Sequence, residues 1–258
     1  MYWQDRMAKA QDSLSQKKVN QIERQIKRYY SESMERVISS FTATYVKVLS
    51  TVEMGKEPTP ADLYKLDSYW KMQGELRDEL QKLGDKQMVL LSKEFEAQFE
   101  EIYNSIALHS DLHTYNSISK ENVTQMVNQI WTADGKSWSQ RIWRNTDLLA
   151  DELNDGLLHC VVTGQKASDL KKILMERFNV SFGRADALVR TEIAHIQTQA
   201  AQARYKDAGI RQVEVWAEKD ERRCDICGEL HQKKFPIDGQ MPVPAHPRCR
   251  CVILPVIE

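Results

Sequence analysis

Apolar residues recur every three or four positions along the N-terminal half of the chain, the spacing that places them on one face of a helix. The first stripe predicts one long helix and comprises Ile22, Ile26, Tyr30, Met34, Val37, Phe41, Tyr45 and Val48. After a break at "GKEPTP", the second stripe comprises Leu63, Leu66, Trp70, Leu76, Leu80 and Leu83, and the third, beyond Gly84, comprises Met88, Leu91, Phe95, Phe99, Ile102 and Ile106. The stripes either pack against one another in an antiparallel bundle or leave part of an apolar face exposed for a partner protein.

Helical patterns continue as far as Gly209. A polar stretch between His109 and Ser119 predicts a loop. Helices are then predicted in "ENVTQMVNQIW", "WSQRIWRNTDLLADELNDGLLHCVV", "ASDLKKILMERFNV" and "RADALVRTEIAHIQTQAAQARYKDAG". Gly164 and Gly209 are expected to end helices, because glycine readily adopts the left-handed conformation that closes many helices, and Ser168 is expected to cap a helix start.

The period of the pattern changes beyond Gly209. Val213, Val215 and Ala217 alternate with Glu214 and Trp216, which predicts a strand, and "CVILPV" at the end of the chain predicts another. The last part of the chain is therefore expected to combine strands with the preceding helix in a small mixed module.

Charge and composition narrow the functional classes. The chain has 258 residues, of which 28% are charged, and a net charge of −1, so as a whole it lacks the basic character of a nucleic-acid-binding protein. Asp5, Arg6 and Lys9 stand where a signal peptide needs an apolar core, and no apolar run approaches the ~18 residues of a membrane helix. We therefore expect no membrane segment and a reducing, cytosolic setting, in which clustered cysteines favour metal binding over disulfides.

Four of the five cysteines lie in a short C-terminal stretch and predict a metal site. Cys224 and Cys227 form a C-x2-C pair, and His246 and Cys249 form an H-x2-C pair further along. Together they supply the Cys3His ligand set of a structural zinc site. Cys251 is a fifth candidate; four of the five are expected to bind, and Cys251 is the least certain because in an extended segment it points away from Cys249.

Two further readings of the cluster remain open, a buried group of reduced cysteines and a disulfide. His231 is a weaker candidate ligand, because it follows the C-x2-C pair too closely to leave a long loop. Cys160 lies in "LLHCVV" and is expected in the core.

The predicted fold class is mainly α, with a long helical N-terminal region, bundled or extended, and a small α+β, zinc-clipped module at the C-terminus. Residues 1–115 form the predicted helical region, which is expected to dock a partner. Residues 116–258 form the second predicted domain, with the zinc-binding module at about residues 210–258.

Catalytic motifs are missing from the cysteine-rich stretch. The deaminase pattern needs H-x-E upstream and a proline before C-x2-C, whereas this chain has Arg223 before Cys224 and no H-x-E. H-E-x-x-H does not occur either. Glu192 and His195 could form an acid/base pair on a helix, although such residues more often belong to a solvated or hydrogen-bonded face. We therefore expect a structural zinc ion and no enzyme activity.

Two basic clusters are candidates for contact with DNA phosphates. They comprise Lys17, Lys18, Arg24, Lys27 and Arg28 in the first helix, and Lys171 and Lys172 in a later one. The alternative is that both are solvated helix faces, which the acidic stretch from Asp62 to Glu101 and the lack of interleaved aromatic residues favour.

The C-terminal third carries a set of motifs in a specific order and spacing. "RTE" at 190–192 stands on a helix that ends in Tyr205 and Gly209, and the strand at 213–216 is followed by Asp220. After the C-x2-C pair come Leu230, Phe235, Pro244 and the ending "HPRCRC". With this set of motifs, the C-terminal third resembles the Mu F-like minor head proteins of tailed bacteriophages. "YWQDRM" and "DGKSWSQRIW" are similar to minor head proteins of phages that infect Gram-positive hosts. One departure is His231-Gln232, where members more often carry an Asp-Gly turn.

The resemblance implies a role in head morphogenesis. It implies a minor component of the virion, in the head interior or at the portal, that assembles in the cytoplasm of the bacterial host. Its partners would be the portal protein, scaffold or major capsid protein, and the packaged double-stranded DNA or its delivery. Two other classes remain open: a zinc-containing nucleic-acid-binding protein without a virion role, and a zinc-dependent hydrolase or nuclease.

Overall fold

The computed structural model describes residues 3–52, 57–109, 117–217 and 223–257. The helices in these ranges are α1 (Trp3–Thr51), α2 (Pro60–Tyr64), α3 (Asp67–His109), α4 (Lys120–Val127), α5 (Trp138–Val162), α6 (Ala167–Asp207) and α7 (Asp225–Leu230). The strands are β1 (Gln212–Trp216), β2 (Lys234–Pro236) and β3 (Val252–Pro255). The fold is therefore mainly α with a small strand region at the C-terminus, as the sequence predicted.

The first apolar stripe forms the buried face of α1, which is 49 residues long. Ile22, Phe41 and Tyr45 expose 1% of their surface or less. The Tyr45 hydroxyl donates to the carbonyl oxygen of Cys160, 2.9 Å away, which places the predicted core cysteine beside the stripe. A single unbroken helix follows because the stripe keeps its spacing and no proline interrupts it.

Most of the second stripe and all of the third lie on one helix, α3, which runs through Gly84 without a break. Leu63 lies on α2, and Leu66 directly precedes α3. A glycine inside a helix costs only about 1 kcal/mol relative to alanine, and buried contacts on both sides outweigh that cost. A Cβ at position 84 would overlap the ring of Trp143 on α5. Gly84 therefore permits a close approach of Trp143. Trp70 departs from the second stripe, because 61% of its surface is exposed.

The two helices predicted between residues 167 and 207 are also one helix, α6. It begins at Ala167, so the prediction that Ser168 caps a helix start is wrong; the Lys166 carbonyl accepts from the Asp169 amide there, at 2.9 Å. Its end at Gly209 is confirmed: Gly209 has φ +73, and the Ile210 amide donates to the Tyr205 carbonyl at 3.0 Å. This bond and the left-handed glycine form a Schellman-type helix end.

A three-stranded antiparallel sheet in the order β2-β1-β3 follows α6. Val213 and Val215 of β1 are fully buried, as their alternation predicts. The predicted C-terminal strand is β3, whereas β2 and α7 are too short to leave a periodic pattern in the sequence. Tyr205 at the end of α6 donates its hydroxyl to the Ile253 carbonyl, 3.3 Å away, and so ties the helix to the sheet.

The chain divides into two compact units, each assembled from separate segments. The first unit comprises Met1–Glu23, Leu90–Trp138 and Asp186–Glu258. The second unit comprises Arg24–Val89 and Ser139–Ala185. The predicted loop between His109 and Ser119 and the predicted domain boundary after residue 115 fall at residues 110–116, which lie outside the described residues. The division at that boundary therefore remains a prediction.

Candidate metal centre

The C-x2-C pair lies at the start of α7. Cys224 is the N-cap of this helix, and its sulfur accepts from the backbone amide of Cys227 at 3.4 Å. Cys227 stands in the first turn and is buried. The helix start therefore turns both sulfurs toward one point, as the two-residue spacing requires.

The H-x2-C pair lies on a tight turn. The Cys249 amide donates to the His246 carbonyl at 3.2 Å, which closes the turn. Pro247 occupies its second position, and Arg248 occupies the third with φ +63. Proline followed by a positive φ is the pattern of a type II turn, in which glycine is the usual third residue.

The structure brings the five predicted donors together in two groups of three that share Cys227. Cys224, Cys227 and His246 form one group, and Cys227, Cys249 and Cys251 form the other; within each group the donor atoms lie within 4.8 Å of one another. The Nε2 atom of His246 lies 3.3 Å from the Cys224 sulfur and 3.1 Å from the Cys227 sulfur. The sulfurs of Cys227 and Cys249 are 3.8 Å apart. The Cys/His groups are close enough to bind a metal ion.

Cys251 belongs to this cluster, against the expectation that it points away from Cys249. That expectation assumed an extended segment, but β3 begins only at Val252. Residues 249–251 are therefore not held in a strand, and both sulfurs reach Cys227.

The cysteine thiols of the cluster differ strongly in pKa. A hydrogen bond from Cys251 lowers the pKa of Cys249 to about 5. The same hydrogen bond raises the pKa of Cys251, as does burial. Burial raises the pKa of Cys227 to about 12, whereas the Cys227 backbone amide lowers that of Cys224. Neighbouring thiols therefore favour a thiolate at Cys249, and a cation among the sulfurs would favour further thiolates.

His246 is oriented with its Nε2 atom toward the sulfurs. Its Nδ1 atom lies 2.8 Å from the Pro247 carbonyl oxygen and, as an N–H, donates to it. Burial opposes a charge on the ring, but the Pro247 carbonyl and the neighbouring cysteines raise its pKa on balance. The hydrogen bond leaves the Nε2 lone pair facing Cys224 and Cys227, the tautomer that a metal ligand needs.

The weaker candidates from the sequence, His231, Glu192 and His195, make contacts of their own outside the two donor groups. His231 accepts a hydrogen bond from the Ala217 amide at 3.2 Å and packs edge-on against Trp216, so the sheet accounts for it. Glu192 accepts from the Trp131 indole at 3.0 Å, and the His195 ring stacks on Trp131. Both side chains of the proposed acid/base pair therefore contact one tryptophan. Asp220 lies outside the described residues.

Most of the candidate DNA-contact residues are exposed. Lys18 is the exception: its side chain is 12% exposed and pairs with Glu94 at 3.0 Å. Lys172 pairs with Asp169 at 3.3 Å but remains largely exposed. The exposed candidates are Lys17, Arg24, Lys27, Arg28, Lys171 and Lys172.

The sequence analysis did not identify the residues of α6 that contact the turn at 246–249. The Arg248 amide donates to the Thr191 hydroxyl at 3.1 Å, and the Arg248 guanidinium lies 2.8 Å from Asp186. Thr191 belongs to the "RTE" segment that carries the family resemblance. That segment was the available signal, but its contact with the turn depends on the tertiary fold.

In the described part of the chain, no helix combines the length and the apolarity needed to span a membrane.

The region that contains the cluster is similar to a known protein family. Residues 151–254 match the model of a family described as Phage Mu protein F like protein. No curated protein and no solved structure matches the chain at a significant level. The matched residues include the second half of α5, all of α6, the sheet except for Pro255, and the five metal-ligand candidates. The match and the motifs together support the assignment of residues 151–254 to the Mu F-like family of phage head proteins.

Proposed function

We propose that the protein is a minor head protein of a tailed bacteriophage whose C-terminal module is held together by a structural zinc ion. The main support for this proposal is that the five Cys/His donors lie close together within the region that matches the phage family. The protein is incorporated into the head, at the portal or in the interior, during assembly in the host cytoplasm.

Zinc fits the donors by chemistry and by distance. Thiolate and imidazole are its preferred ligands, and tetrahedral zinc places two sulfurs about 3.8 Å apart and a sulfur and a nitrogen about 3.5 Å apart. The Cys227–Cys249 pair, at 3.8 Å, agrees with the first value, and the His246 contacts of 3.1 and 3.3 Å are slightly short of the second. Cys224, Cys227 and His246 with Cys249 or Cys251 would hold the ion.

The proposed role of the ion is structural. Five donors exceed the four positions of a tetrahedral ion, so the protein can close the coordination shell without water. Cys224 and Cys227 lie at the start of α7, His246 and Cys249 lie on the turn at 246–249, and Cys251 directly precedes β3. An ion among them would join segments that have little secondary structure of their own.

We propose that the long helices dock the portal protein, with scaffold or major capsid protein as further partners. α1 and α3 are 49 and 43 residues long, which gives the chain extended surfaces for helix packing. Tyr64, Tyr69 and Trp70 pack together near the start of α3, and Trp70 is 61% exposed there. An exposed aromatic cluster is suited to burial by another protein.

Size-exclusion chromatography with the portal protein of the same phage tests this docking directly. Co-elution at physiological salt in a few copies per portal ring is the expected result. A Trp70→Ala variant should weaken the complex, and a Val89→Ala variant, which truncates another exposed side chain of α3, is the matched control. Separate elution of a folded, zinc-loaded chain would contradict portal docking.

We further propose that the exposed basic residues of α1 and α6 contact packaged DNA. Lys17, Lys27 and Lys171 are exposed and can approach phosphates, whereas Lys18 is engaged with Glu94. Binding of this kind depends on salt, because each neutralised phosphate releases counterions. Replacing Lys17 and Lys27 by Gln should flatten the salt dependence of DNA binding, and salt-independent or undetectable binding by the wild-type chain would contradict the contact.

A further inference from the structure

We propose that Asp186, Arg190 and Thr191 of α6 are positioning residues for the metal site. They hold the turn at 246–249 in the conformation that presents His246 and Cys249, although none of them is a ligand. The inference rests on the structural zinc ion proposed above, the zinc clip. It adds residues outside the ligand set that determine the affinity of the site for zinc.

The turn needs outside support because of its third residue. Arg248 has φ +63, a left-handed conformation that is unfavourable for a residue with a side chain. Glycine would adopt it without that cost, but glycine would lack the side chain that reaches α6. The contacts of Arg248 therefore have to compensate for its backbone conformation.

Thr191 supplies the first contact. Its hydroxyl donates to the Ala187 carbonyl at 2.7 Å, within α6, and accepts from the Arg248 amide at 3.1 Å. The donor and acceptor functions of the hydroxyl are thus both used. The bond to Arg248 fixes the backbone of the residue that directly precedes Cys249.

A chain of four charges supplies the second contact. The Arg248 guanidinium lies 2.8 Å from one oxygen of Asp186, and the Arg190 guanidinium lies 2.8 Å from the other oxygen. Arg190 also pairs with Glu23 of α1 at 2.7 Å. The Asp186 side chain is only 9% exposed, but the Arg248 side chain is 52% exposed, so solvent partly screens their ion pair. The turn is thereby connected to two helices of the first unit.

A cavity beside the turn makes these polar contacts more important. It has a volume of about 530 Å³, and Gln16, Arg190, Gln197, His246 and Arg248 are among the residues that line it. Close packing cannot hold the turn on that side, because the cavity replaces side-chain contacts there. The hydrogen bond and the ion pair to α6 therefore contribute to the position of the turn on that side.

Zinc affinity of the full-length chain, measured with Zn²⁺ and a competing chromophoric chelator, tests the inference. Thr191→Val and Asp186→Asn should each raise the Kd for zinc about 10-fold, the lower end of the effect of removing a direct partner of a ligand, because both residues act through Arg248. One ion should still bind per chain. Thr191→Ser keeps the hydroxyl and should restore the wild-type Kd. Co²⁺-loaded protein gives a second readout, since displaced ligands change its visible spectrum.

Thr198→Val is the matched control for Thr191→Val. Thr198 lies on the same helix, and its hydroxyl donates to the Ala194 carbonyl at 3.1 Å in the same way. Its loss should leave the Kd and the Co²⁺ spectrum unchanged. Equal Kd values for wild type, Thr191→Val and Asp186→Asn would overturn the positioning role while leaving the zinc clip in place. A wild-type chain that binds no zinc would overturn the clip itself, and this inference with it.

Discussion

At the residue scale, the proposed metal site depends most on Cys227. Its sulfur belongs to both groups of donors, and the side chain is buried. Cys251 joins only the second group, in which Cys249 offers an alternative thiolate. The two cysteines should therefore respond differently to substitution.

Cys227→Ser should abolish zinc binding and unfold the module beyond about residue 210, because the binding free energy of a structural zinc ion is largely folding free energy. Cys251→Ser should keep one zinc ion per chain at a modest cost in stability. Elemental analysis of the purified variants checks both outcomes. Retention of zinc by Cys227→Ser, or its loss from Cys251→Ser alone, would require a different ligand set.

Gln232 allows a separate test of backbone conformation. The turn at 230–233 is closed by the Lys233 amide, which donates to the Leu230 carbonyl at 3.0 Å, and Gln232 stands in its third position with φ +63. The turn forms although the Asp-Gly pair of the family is missing.

Gln232→Gly should raise the free energy of unfolding by about 0.5–1 kcal/mol, because glycine relieves the left-handed strain but loses more chain entropy on folding. Chemical denaturation measures the change. Gln232→Ala keeps a Cβ and should have little effect. A destabilised Gln232→Gly variant would mean that the glutamine side chain, rather than the backbone, matters at this position.

His195 should make stability dependent on pH. Its ring stacks on Trp131 at 4.1 Å, and burial lowers its pKa to about 4, compared with about 6.5 in an unfolded chain. The unfolded state therefore binds the proton more readily, and the contribution of neutral His195 to stability is lost as the pH falls from 6.5 toward 4.

Between pH 7 and pH 5 this difference amounts to about 2 kcal/mol of unfolding free energy. His195→Gln should remove that part of the pH dependence, and His159→Gln, which changes an exposed histidine on α5, should not. Denaturant titrations at the two pH values measure it. Equal pH dependence in wild type and His195→Gln would contradict the assignment.

At the element scale, Gly84 shows how tertiary contact decides the role of a residue. It lies within α3 and marks the place where Trp143 of α5 approaches the helix backbone. At Gly74, on the same helix, a Cβ would meet no heavy atom within 4 Å beyond the adjoining helix backbone. The two glycines form a matched pair.

Gly84→Ala should lower the free energy of unfolding by about 1–3 kcal/mol, because the new methyl group overlaps the Trp143 ring. Gly74→Ala should raise it by about 0.5–1 kcal/mol through helix propensity alone. Thermal or chemical unfolding compares the two variants with the wild type. A stabilised Gly84→Ala variant would show that α3 and α5 can separate at this point without cost.

The sequence alone was sufficient to predict the helices and strands that have a long periodic pattern. The stripe from Ile22 to Val48 predicts α1, and the alternation at Val213 and Val215 predicts β1, because burial on one face leaves a regular trace. The continuity of α3 through Gly84 could not be predicted, since it depends on contacts with another helix. The same holds for Cys251, whose direction depends on where β3 begins.

At the scale of the whole molecule, the helical and cysteine-rich regions have different structural requirements. The helices bury long apolar faces, whereas the module after α6 contains short strands and a short helix joined by turns. A small module with so little secondary structure commonly needs a metal ion or a disulfide for stability. The four cysteines of the module form no disulfide in the structure, which is consistent with the metal ion proposed above as its stabilising group.

Native mass spectrometry of the full-length chain, purified without chelator, tests the central claim most directly. The account predicts a mass that corresponds to the polypeptide plus one zinc ion, and loss of that ion when Cys227 is replaced by Ser. A folded wild-type chain with the mass of the polypeptide alone would contradict the zinc clip.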